Sequence, residues 1–296
     1  MMPRSSPFHF FKNTLKSDSY FADELINIYF LRPIAAALVW LLYPTRVTPN
    51  HLTGISVLLG LAAAGFFFLG TPEAVMTAGL FVTSKDLFDD ADGQLARAKE
   101  LYSRRGRFYD SIGDFVVDLA IFTAIGYTLY QSNPSGWTIL LTFLAFWGIT
   151  LRVSYHVFYQ TSYLHRENRY KLNRLTEEVK EEDLRGDEIA LRLQKIFLVL
   201  YGWQDRLMYR IDALCGRGIK EIELTEWYSD RLGLRISGLL GFGTEFAVLT
   251  VCSFFNELHL YLLLNVLAMN GIWLGSILYR KLFLTKSIAR NTNPPS

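Results

Sequence analysis

The chain has 296 residues, 30 basic and 28 acidic side chains, a formal net charge of +2 and a 51% share of hydrophobic residues. This apolar share is high for a soluble domain, and we expect no nucleic-acid partner. The two cysteines, Cys215 and Cys252, lie in a polar segment and an apolar segment, so a disulfide-stabilised secreted domain is not expected.

The N-terminal residues 1–45 are predicted to form a cytoplasmic segment that ends in a helix at the membrane interface. Within them, residues 18–45 combine acidic side chains with a short apolar run, FLRPIAAALVWLLYP, which Pro33 interrupts. A run of this length crosses a bilayer poorly, so an amphipathic juxtamembrane helix is favoured. A short tilted seventh span is the alternative.

Six later stretches have the length and apolarity of membrane-spanning helices, which need about 20 residues each. They lie at residues 50–69, 74–96, 107–130, 136–160, 233–255 and 258–283. We therefore predict an all-α integral membrane protein with six transmembrane helices. Its first four spans would form a catalytic membrane core at residues 46–163, and the last two would occupy residues 233–285.

Between these two groups of spans, residues 164–232 are predicted to be a cytoplasmic helical insertion. Its first half contains RLTEEVKEEDLRGDE, which is typical of a solvated helix or loop. Its second half, IALRLQKIFLVLYGWQDRLMYRIDAL, carries apolar residues at helical spacing. We expect this half to pack on the membrane surface or to cap the cytoplasmic face of the bundle.

The connectors between the spans predict the orientation of the chain. The short turns GTPE, QSNPSG and FFNELH contain no Lys or Arg, whereas the connectors on the other side are rich in both. The positive-inside rule therefore places both termini, including a tail at residues 286–296, in the cytoplasm. The acidic connector described next lies on the same side, which in a prokaryote would be the cytoplasmic side of the inner membrane.

The stretch DLFDDADGQLARAKELYSRRGRFYDSIGD, from Asp86 to Asp114, joins the second and third predicted spans. Carboxylates at membrane depth are costly and usually carry a function. Asp89 and Asp92 are three residues apart and Asp110 and Asp114 are four apart, so each pair shares one helix face. The short connector makes the two helices antiparallel neighbours. Four converging carboxylates would form an oxygen-rich site suited to a hard divalent cation such as Mg²⁺ or Mn²⁺.

Two glycines and an arginine accompany these aspartates. Gly93 and Gly106 remove side chains at positions where a bulky group has to approach the backbone. Arg97 lies one turn beyond Gly93 and could meet a phosphate. Together with the carboxylates, these residues indicate a site for a metal ion and a pyrophosphate.

The spacing of these residues resembles the signature of the CDP-alcohol phosphotransferase family. The matching pattern is Asp89-x-x-Asp92-Gly93-x-x-Ala96-Arg97, eight further residues, and then Gly106-x-x-x-Asp110-x-x-x-Asp114. The segment TRVTPNHLT at residues 45–53 is similar to the segment that precedes the first membrane helix of this family. The resemblance covers about residues 30–160, and the last two spans match by hydropathy alone.

The resemblance implies transfer of a phospho-alcohol group from a CDP-linked donor to an acceptor hydroxyl, with release of CMP. It implies Mg²⁺ or Mn²⁺, two ions per site, with the ligands Asp89, Asp92, Asp110 and Asp114. It implies a general-base role for Asp114, and a CDP site lined by Gly93, Ala96, Arg97 and Gly106. It also implies a homodimer in which CDP arrives from the cytoplasm and a lipid substrate enters from the bilayer.

The identity of the substrates stays open at this point. CDP-diacylglycerol could react with a small soluble alcohol, or a CDP-linked polar alcohol could react with a lipid hydroxyl. Phe115 follows Asp114, whereas family members that use glycerol phosphate or inositol phosphate tend to carry Lys or Arg there. This departure weakens the case for a phosphorylated acceptor. A divalent-cation transporter that uses the same carboxylates is the alternative from another class.

Several polar residues in the spans lie outside the motif. Lys85 is expected to pair with the carboxylates, or alternatively to bind an acceptor phosphate. Asp118 would support the site or pair within the bundle. Glu245 is expected to hydrogen-bond to Asn265 or Asn270.

Three further residues lie near predicted helix ends. Arg152 could reach an acceptor headgroup or extend its charge to the membrane surface. Asn50 and Thr53 lie at the start of the first span and could contact a nucleotide or cap the helix, and capping explains them adequately.

Overall fold

The computed structural model describes residues 21–167, 177–184 and 186–292, and all regular elements in these ranges are helical. Residues 1–20 of the predicted N-terminal segment, part of the predicted insertion and the end of the predicted tail lie outside the described residues. Glu24, near the start, is buried, and its carboxylate accepts a hydrogen bond of 3.1 Å from the backbone N–H of Thr244. The segment before the first helix is thus packed against the rest of the protein.

The helices follow one another through short connectors. The main helices are α1 (Asn27–Leu42), α2 (Pro49–Leu69), α3 (Pro72–Lys99), α4 (Arg104–Ser132), α5 (Gly136–Arg166), α6 (Glu188–Leu200), α7 (Gly202–Cys215), α8 (Arg231–Leu240), α9 (Phe242–Phe254) and α10 (Leu258–Ile288). Short helical turns lie at Glu181–Leu184, Glu221–Glu223 and Leu224–Tyr228. The all-α class predicted from the sequence is confirmed over the described residues.

Local sequence sets where these helices begin. The backbone N–H of Thr48 bonds to the ring of His51 at 3.1 Å, and Pro49 starts α2 at a position where no backbone donor is needed. The hydroxyl of Ser103 accepts a 2.8 Å bond from Gly106 N–H and so caps α4. Gly70, at φ 68°, ends α2 in the left-handed region that glycine adopts readily.

Within the described residues, four helices are long and apolar enough to cross a membrane, namely α2, α4, α5 and α10. The pair α8 and α9 would be a fifth span, but the two helices meet at a bend of 43°. The predicted span at 233–255 is therefore broken near Gly241 rather than continuous. The predicted span at 74–96 lies inside α3, a continuous helix of 28 residues that is less apolar because it carries the acidic motif. Six spans stay a prediction.

The largest apolar cluster lies among the long helices and fixes their positions. Small residues let the helices approach closely, because a side chain added at Gly60 on α2 would overlap Val117 on α4. A Cβ at Gly79 on α3 would lie 2.8 Å from the Cβ of Ser253 on α9. Representative buried members of the cluster are Phe67, Val82, Phe122, Ile149, Phe246 and Tyr261.

The described part of the insertion packs on the beginning of α4. The hydroxyl of Tyr201 donates a 2.8 Å bond to the carbonyl of Ser111, and its ring lies 6.1 Å from the ring of Phe115. Arg107 forms an ion pair of 2.6 Å with Glu177. The insertion therefore contacts the part of α4 that carries two of the motif aspartates.

A second set of contacts fastens the insertion to α5. The carboxylate of Asp212 on α7 accepts hydrogen bonds from Tyr159 at 2.9 Å, Trp227 at 2.9 Å and Tyr228 at 2.7 Å. Three neutral donors at one buried carboxylate stabilise its charge and fix the position of α7. Cys215 and Cys252 are both free and buried.

Candidate functional site

Helices α3 and α4 bring three of the motif aspartates into one group. One carboxylate oxygen each from Asp89, Asp92 and Asp110 lies within 4.8 Å of the others. Mg²⁺ and Ca²⁺ take oxygen ligands at about 2.0–2.6 Å, so one small cation can contact all three at this spacing after little movement. Among the described residues, this group contains three of the four carboxylates that the sequence predicts as metal ligands.

The hydrogen bonding of this group leaves room for a cation. The Oδ1 atoms of Asp89 and Asp110 are buried, and neither has a hydrogen-bond partner within the described ranges. A buried oxygen without a donor is unfavourable, more so when it carries charge. An all-oxygen set with unpartnered atoms fits a hard divalent cation.

Asp92 is oriented by a helix that the motif does not include. The hydroxyl of Thr53 on α2 donates a short hydrogen bond to Oδ2 of Asp92. The interpretation of Thr53 as a helix cap is therefore wrong, because Thr48 and His51 cap α2 and Thr53 faces α3. The sequence contained one indication, since Thr53 lies on the first turns of α2 at the same membrane depth as the motif.

The fourth aspartate has a different neighbour. Asp114 lies one turn beyond Asp110 on α4, and its Oδ1 forms an ion pair of 2.6 Å with Nζ of Lys85 on α3. Lys85 is buried, and its ammonium lies 5.6 Å from the ring centre of Phe242 and 5.3 Å from that of Phe246. The ion pair expected for Lys85 is thus formed, and its partner is the predicted base.

Two other acids lie at the edges of the group. Asp90, which points to another face of α3, has Arg32 on α1 at 3.8 Å. Asp118 is buried one turn beyond Asp114, and its Oδ1 has no hydrogen-bond partner in the described part of the chain. Asp90 is therefore a paired carboxylate outside the group, and Asp118 extends the acidic face of α4.

The residues expected to line the CDP site lie beside the aspartates. Gly93, Ala96 and Arg97 are half-buried on α3, and a Cβ added at Gly93 would lie 3.5 Å from Arg97 Nη1, which is an ordinary contact. A Cβ at Gly106 would lie 2.7 Å from Asn50 Oδ1 and would be crowded. The groups that approach Gly106 in this structure are thus the side chains of Asn50 on α2 and of Ser103, which caps α4.

A separate buried charge pair lies away from the motif. Arg152 on α5 is fully buried, and its Nη2 lies 2.9 Å from Oε2 of Glu245 on α9. Asn265 donates a short hydrogen bond to the other oxygen of Glu245, as expected, and Asn270 accepts one of 2.5 Å from Arg152. The interpretation of Arg152 as a headgroup or surface residue is wrong, because an internal carboxylate neutralises it.

The arginines that start α4 are neutralised by two acids that precede α6. Arg104 pairs with Asp183 and Arg105 pairs with Asp187. The hydrogen bond from Arg105 lowers the pKa of Asp187. On α7, burial and the nearby Glu177 raise the pKa of Asp205 to about 6.

Comparison with known proteins adds independent findings. Residues 46–176 match the family model of CDP-alcohol phosphatidyltransferase. The bifunctional IPC transferase and DIPP synthase of Archaeoglobus fulgidus is 35% identical over 115 residues, which are 39% of this chain and 21% of that protein. The protein of the same name from Thermococcus kodakarensis is 35% identical over 82 residues, 28% of this chain and 18% of its own length.

A bacterial relative has a name that describes a different activity. The CDP-diacylglycerol–serine O-phosphatidyltransferase of Mycobacterium bovis is 29% identical over 102 residues, 33% of this chain and 34% of that protein. The chain thus spans about a fifth of the length of the archaeal relatives and about a third of the mycobacterial one. The region that matches the family model contains all four motif aspartates.

Proposed function

Because residues 46–176 form a CDP-alcohol phosphatidyltransferase domain, we propose that this protein transfers a phospho-alcohol group from a CDP-linked donor to an acceptor hydroxyl in membrane lipid synthesis. The acceptor oxygen forms a bond to the attacked phosphorus, the bond from that phosphorus to the CMP oxygen breaks, and the hydroxyl proton passes to a base. The observation that carries the proposal is the group of carboxylates on Asp89, Asp92 and Asp110 inside the matched region.

The three carboxylates of this group would hold Mg²⁺ or Mn²⁺, the hard cations that an all-oxygen ligand set prefers. When bound, the cation neutralises charge on the pyrophosphate and makes the attacked phosphorus more electrophilic. Thr53 fixes the orientation of Asp92 through its hydroxyl, which prepares that carboxylate for the cation. Residues around Gly93 and Arg97 would receive the CDP group.

Asp114 is the proposed general base. Its Oδ1 is engaged by Lys85, which leaves the other carboxylate oxygen to accept the proton of the acceptor hydroxyl. Reactions at phosphate depend mainly on positioning and on stabilisation of charge, and an aspartate fixed by an ion pair meets the first of these needs.

For the acceptor, we favour an alcohol that carries no phosphate. Phe115 follows the proposed base, and its ring packs edge-on against Phe146 at 5.7 Å and Tyr201 at 6.1 Å. The position after Asp114 on α4 therefore carries an aromatic ring instead of a cation, and the nearby Lys85 ammonium is already engaged by Asp114. The mycobacterial relative is named for transfer to serine, and this name is compatible with such an acceptor.

The remaining parts of the proposal concern the setting of the site. The lack of basic residues in the short connectors supports a site on the cytoplasmic side of the membrane. At the cytoplasmic side of the membrane, a CDP-linked group arrives from water, while a lipid substrate enters sideways from the bilayer. As the family resemblance implies, the proposal also includes assembly of the protein as a homodimer.

The test is release of CMP by the purified protein. Mg²⁺ or Mn²⁺ is supplied with CDP-diacylglycerol and, in turn, serine, glycerol phosphate or inositol phosphate. Parallel reactions contain CDP-choline or CDP-ethanolamine with diacylglycerol. We expect CMP release with one pair of substrates, and loss of that activity on chelation of the metal. Absence of CMP with all pairs, together with divalent-cation flux into proteoliposomes, would contradict the proposal and favour the transporter.

A further inference from the structure

Lys85 occupies an unusual position for a lysine. It lies on α3 one turn before Asp89, only 1% of its side chain is exposed, and its Nζ is 2.6 Å from Oδ1 of Asp114. Burial of an ammonium group is costly unless it is paired. Its charge is therefore fixed at the centre of the acidic group by the carboxylates around it.

The surroundings of the ammonium keep it there. The rings of Phe242 and Phe246 lie 5.6 Å and 5.3 Å from Nζ and close the side towards α9 with cation–π contacts. In addition to Asp114, the negative charges of Asp89 and Asp118 also attract the ammonium. A lysine held in this way has little freedom to leave the site.

Lys85 also divides the four motif aspartates. Asp89, Asp92 and Asp110 form the group whose oxygens lie within 4.8 Å of one another, while Asp114 is engaged by the ammonium. A second divalent ion coordinated by Asp114 would have to share that carboxylate with Lys85. Two cations in such close contact repel each other strongly.

On the basis of the proposed function, we propose that the Lys85 ammonium takes the place of a second metal ion, so that each protomer binds one divalent ion. That ion is held by Asp89, Asp92 and Asp110, in place of the two ions that the family resemblance implies. Lys85 is a positioning residue, because it acts on the reaction through the orientation of Asp114, which it contacts at 2.6 Å.

The decisive measurement is the number of Mn²⁺ ions bound per protomer. Mn²⁺ is titrated into the purified protein and free ion is followed by electron paramagnetic resonance, with and without CDP and with no acceptor present. We expect one ion in the wild type and two in Lys85→Met, which keeps the length of the side chain but removes the charge. In the double variant Lys85→Met/Asp114→Asn, the count is expected to return to one.

Two control variants separate this role from a loss of folding. Lys85→Arg keeps the charge and is expected to bind one ion. Lys99→Met removes a lysine from the same helix, where its Nζ bonds to the carbonyls of Thr45 and Val47 at 2.9 Å and 2.7 Å, and is also expected to bind one ion. The count in the wild type remains a test even where Lys85→Met does not fold.

The dependence of activity on Mn²⁺ gives a second result that a structural role would not produce. The wild type is expected to follow a single-site curve, whereas Lys85→Met should be rescued at higher Mn²⁺ with a sigmoidal dependence. Two ions in the wild type, or one ion in folded Lys85→Met, would overturn the role of Lys85 alone. No bound ion in the wild type would overturn the metal centre of the proposed function as well.

Discussion

Two of the groups of buried charge among the described residues differ in how their carboxylates are satisfied. Both oxygens of Glu245 have partners, because Arg152 contacts one at 2.9 Å and Tyr261 and Asn265 donate to the other. In the motif group, Asp89 and Asp110 each have a buried oxygen without a hydrogen-bond partner among the described residues.

This difference separates a structural charge from a functional one. A carboxylate that is paired within the protein stabilises the packing of the helices that supply its partners. A carboxylate that is buried and unpartnered costs stability, and a bound cation or substrate would offset that cost. This contrast supports a structural role for Glu245 and the catalytic role proposed above for the motif aspartates.

The largest expected effect comes from the unpartnered group. Asp89→Ala, Asp92→Ala and Asp110→Ala should each lower CMP release at least about 10³-fold, because each removes a ligand of the proposed ion. The matched control is Asp90→Ala, on the same helix but paired with Arg32 at 3.8 Å, which should stay within about threefold of wild type. Full activity in any of the first three variants would contradict the metal assignment.

The next effect distinguishes a base from a ligand. Asp114→Asn keeps the size and one coordinating oxygen but cannot accept a proton. It should lower the rate of the chemical step by about 10²–10⁴-fold while CDP and Mn²⁺ still bind, the usual range for general-base catalysis. Single-turnover kinetics and equilibrium binding provide the two measurements. A large loss of binding with an unchanged rate in the bound state would show that Asp114 is a ligand instead.

A smaller effect is expected from the residue that orients Asp92. Thr53→Val removes the hydroxyl but keeps the shape, so Mn²⁺ should bind about 10–100-fold more weakly, as for other groups that orient metal ligands. Thr128→Val is the control, since its hydroxyl bonds to the carbonyl of Phe67 at 2.6 Å far from the motif. Equal affinity in the two variants would show that the hydroxyl of Thr53 does not prepare the site.

The smallest effect concerns Asp205, a carboxyl group on α7 that is partly buried. Burial, and then repulsion by Glu177, raises its pKa from 3.8 to about 6, while Arg206 opposes the shift. A raised pKa stabilises the folded state below about pH 4, and that contribution is lost as the pH rises through 6. Asp205→Asn should therefore melt a few degrees higher than wild type at pH 7.5. At pH 4 the two proteins should have the same melting temperature.

The control for this pH effect has the opposite sign. Arg105 lowers the pKa of Asp187, so ionised Asp187 is favoured in the folded state at neutral pH and Asp187→Asn should not raise the melting temperature at pH 7.5. A difference between Asp205→Asn and wild type that is the same at pH 4 and pH 7.5 would show that titration of Asp205 is not its cause.

Much of the motif site was accessible from the sequence because its geometry is local. Spacings of three and four residues place Asp89 with Asp92 and Asp110 with Asp114, and a short connector brings the two helices together. The ion pair of Lys85 was expected for the same reason, since it precedes the first aspartate by one turn. Local periodicity thus predicts contacts between neighbouring helices.

Contacts between distant parts of the chain were not accessible in this way. Arg152 and Glu245 are 93 positions apart, so no local spacing relates them. The bend before α9 depends on the packing of Glu24, whose carboxylate occupies the space beside Gly241 and bonds to Thr244 at 3.1 Å. Glycines in the run GLLGFG were the available signal, because they permit such close contact.

The central claim is that Asp89 and Asp110 of the motif reduce stability for the sake of binding, whereas Glu245 increases it. The most direct measurement is thermal unfolding of Asp110→Asn and Glu245→Gln in chelator, each compared with wild type. Asp110→Asn should melt at or above the wild-type temperature, because it replaces a carboxylate that has a buried oxygen without a hydrogen-bond partner. Glu245→Gln should melt well below it, since loss of one partner of a buried ion pair costs about 3–5 kcal/mol. A lower melting temperature for Asp110→Asn together with an unchanged one for Glu245→Gln would contradict the account.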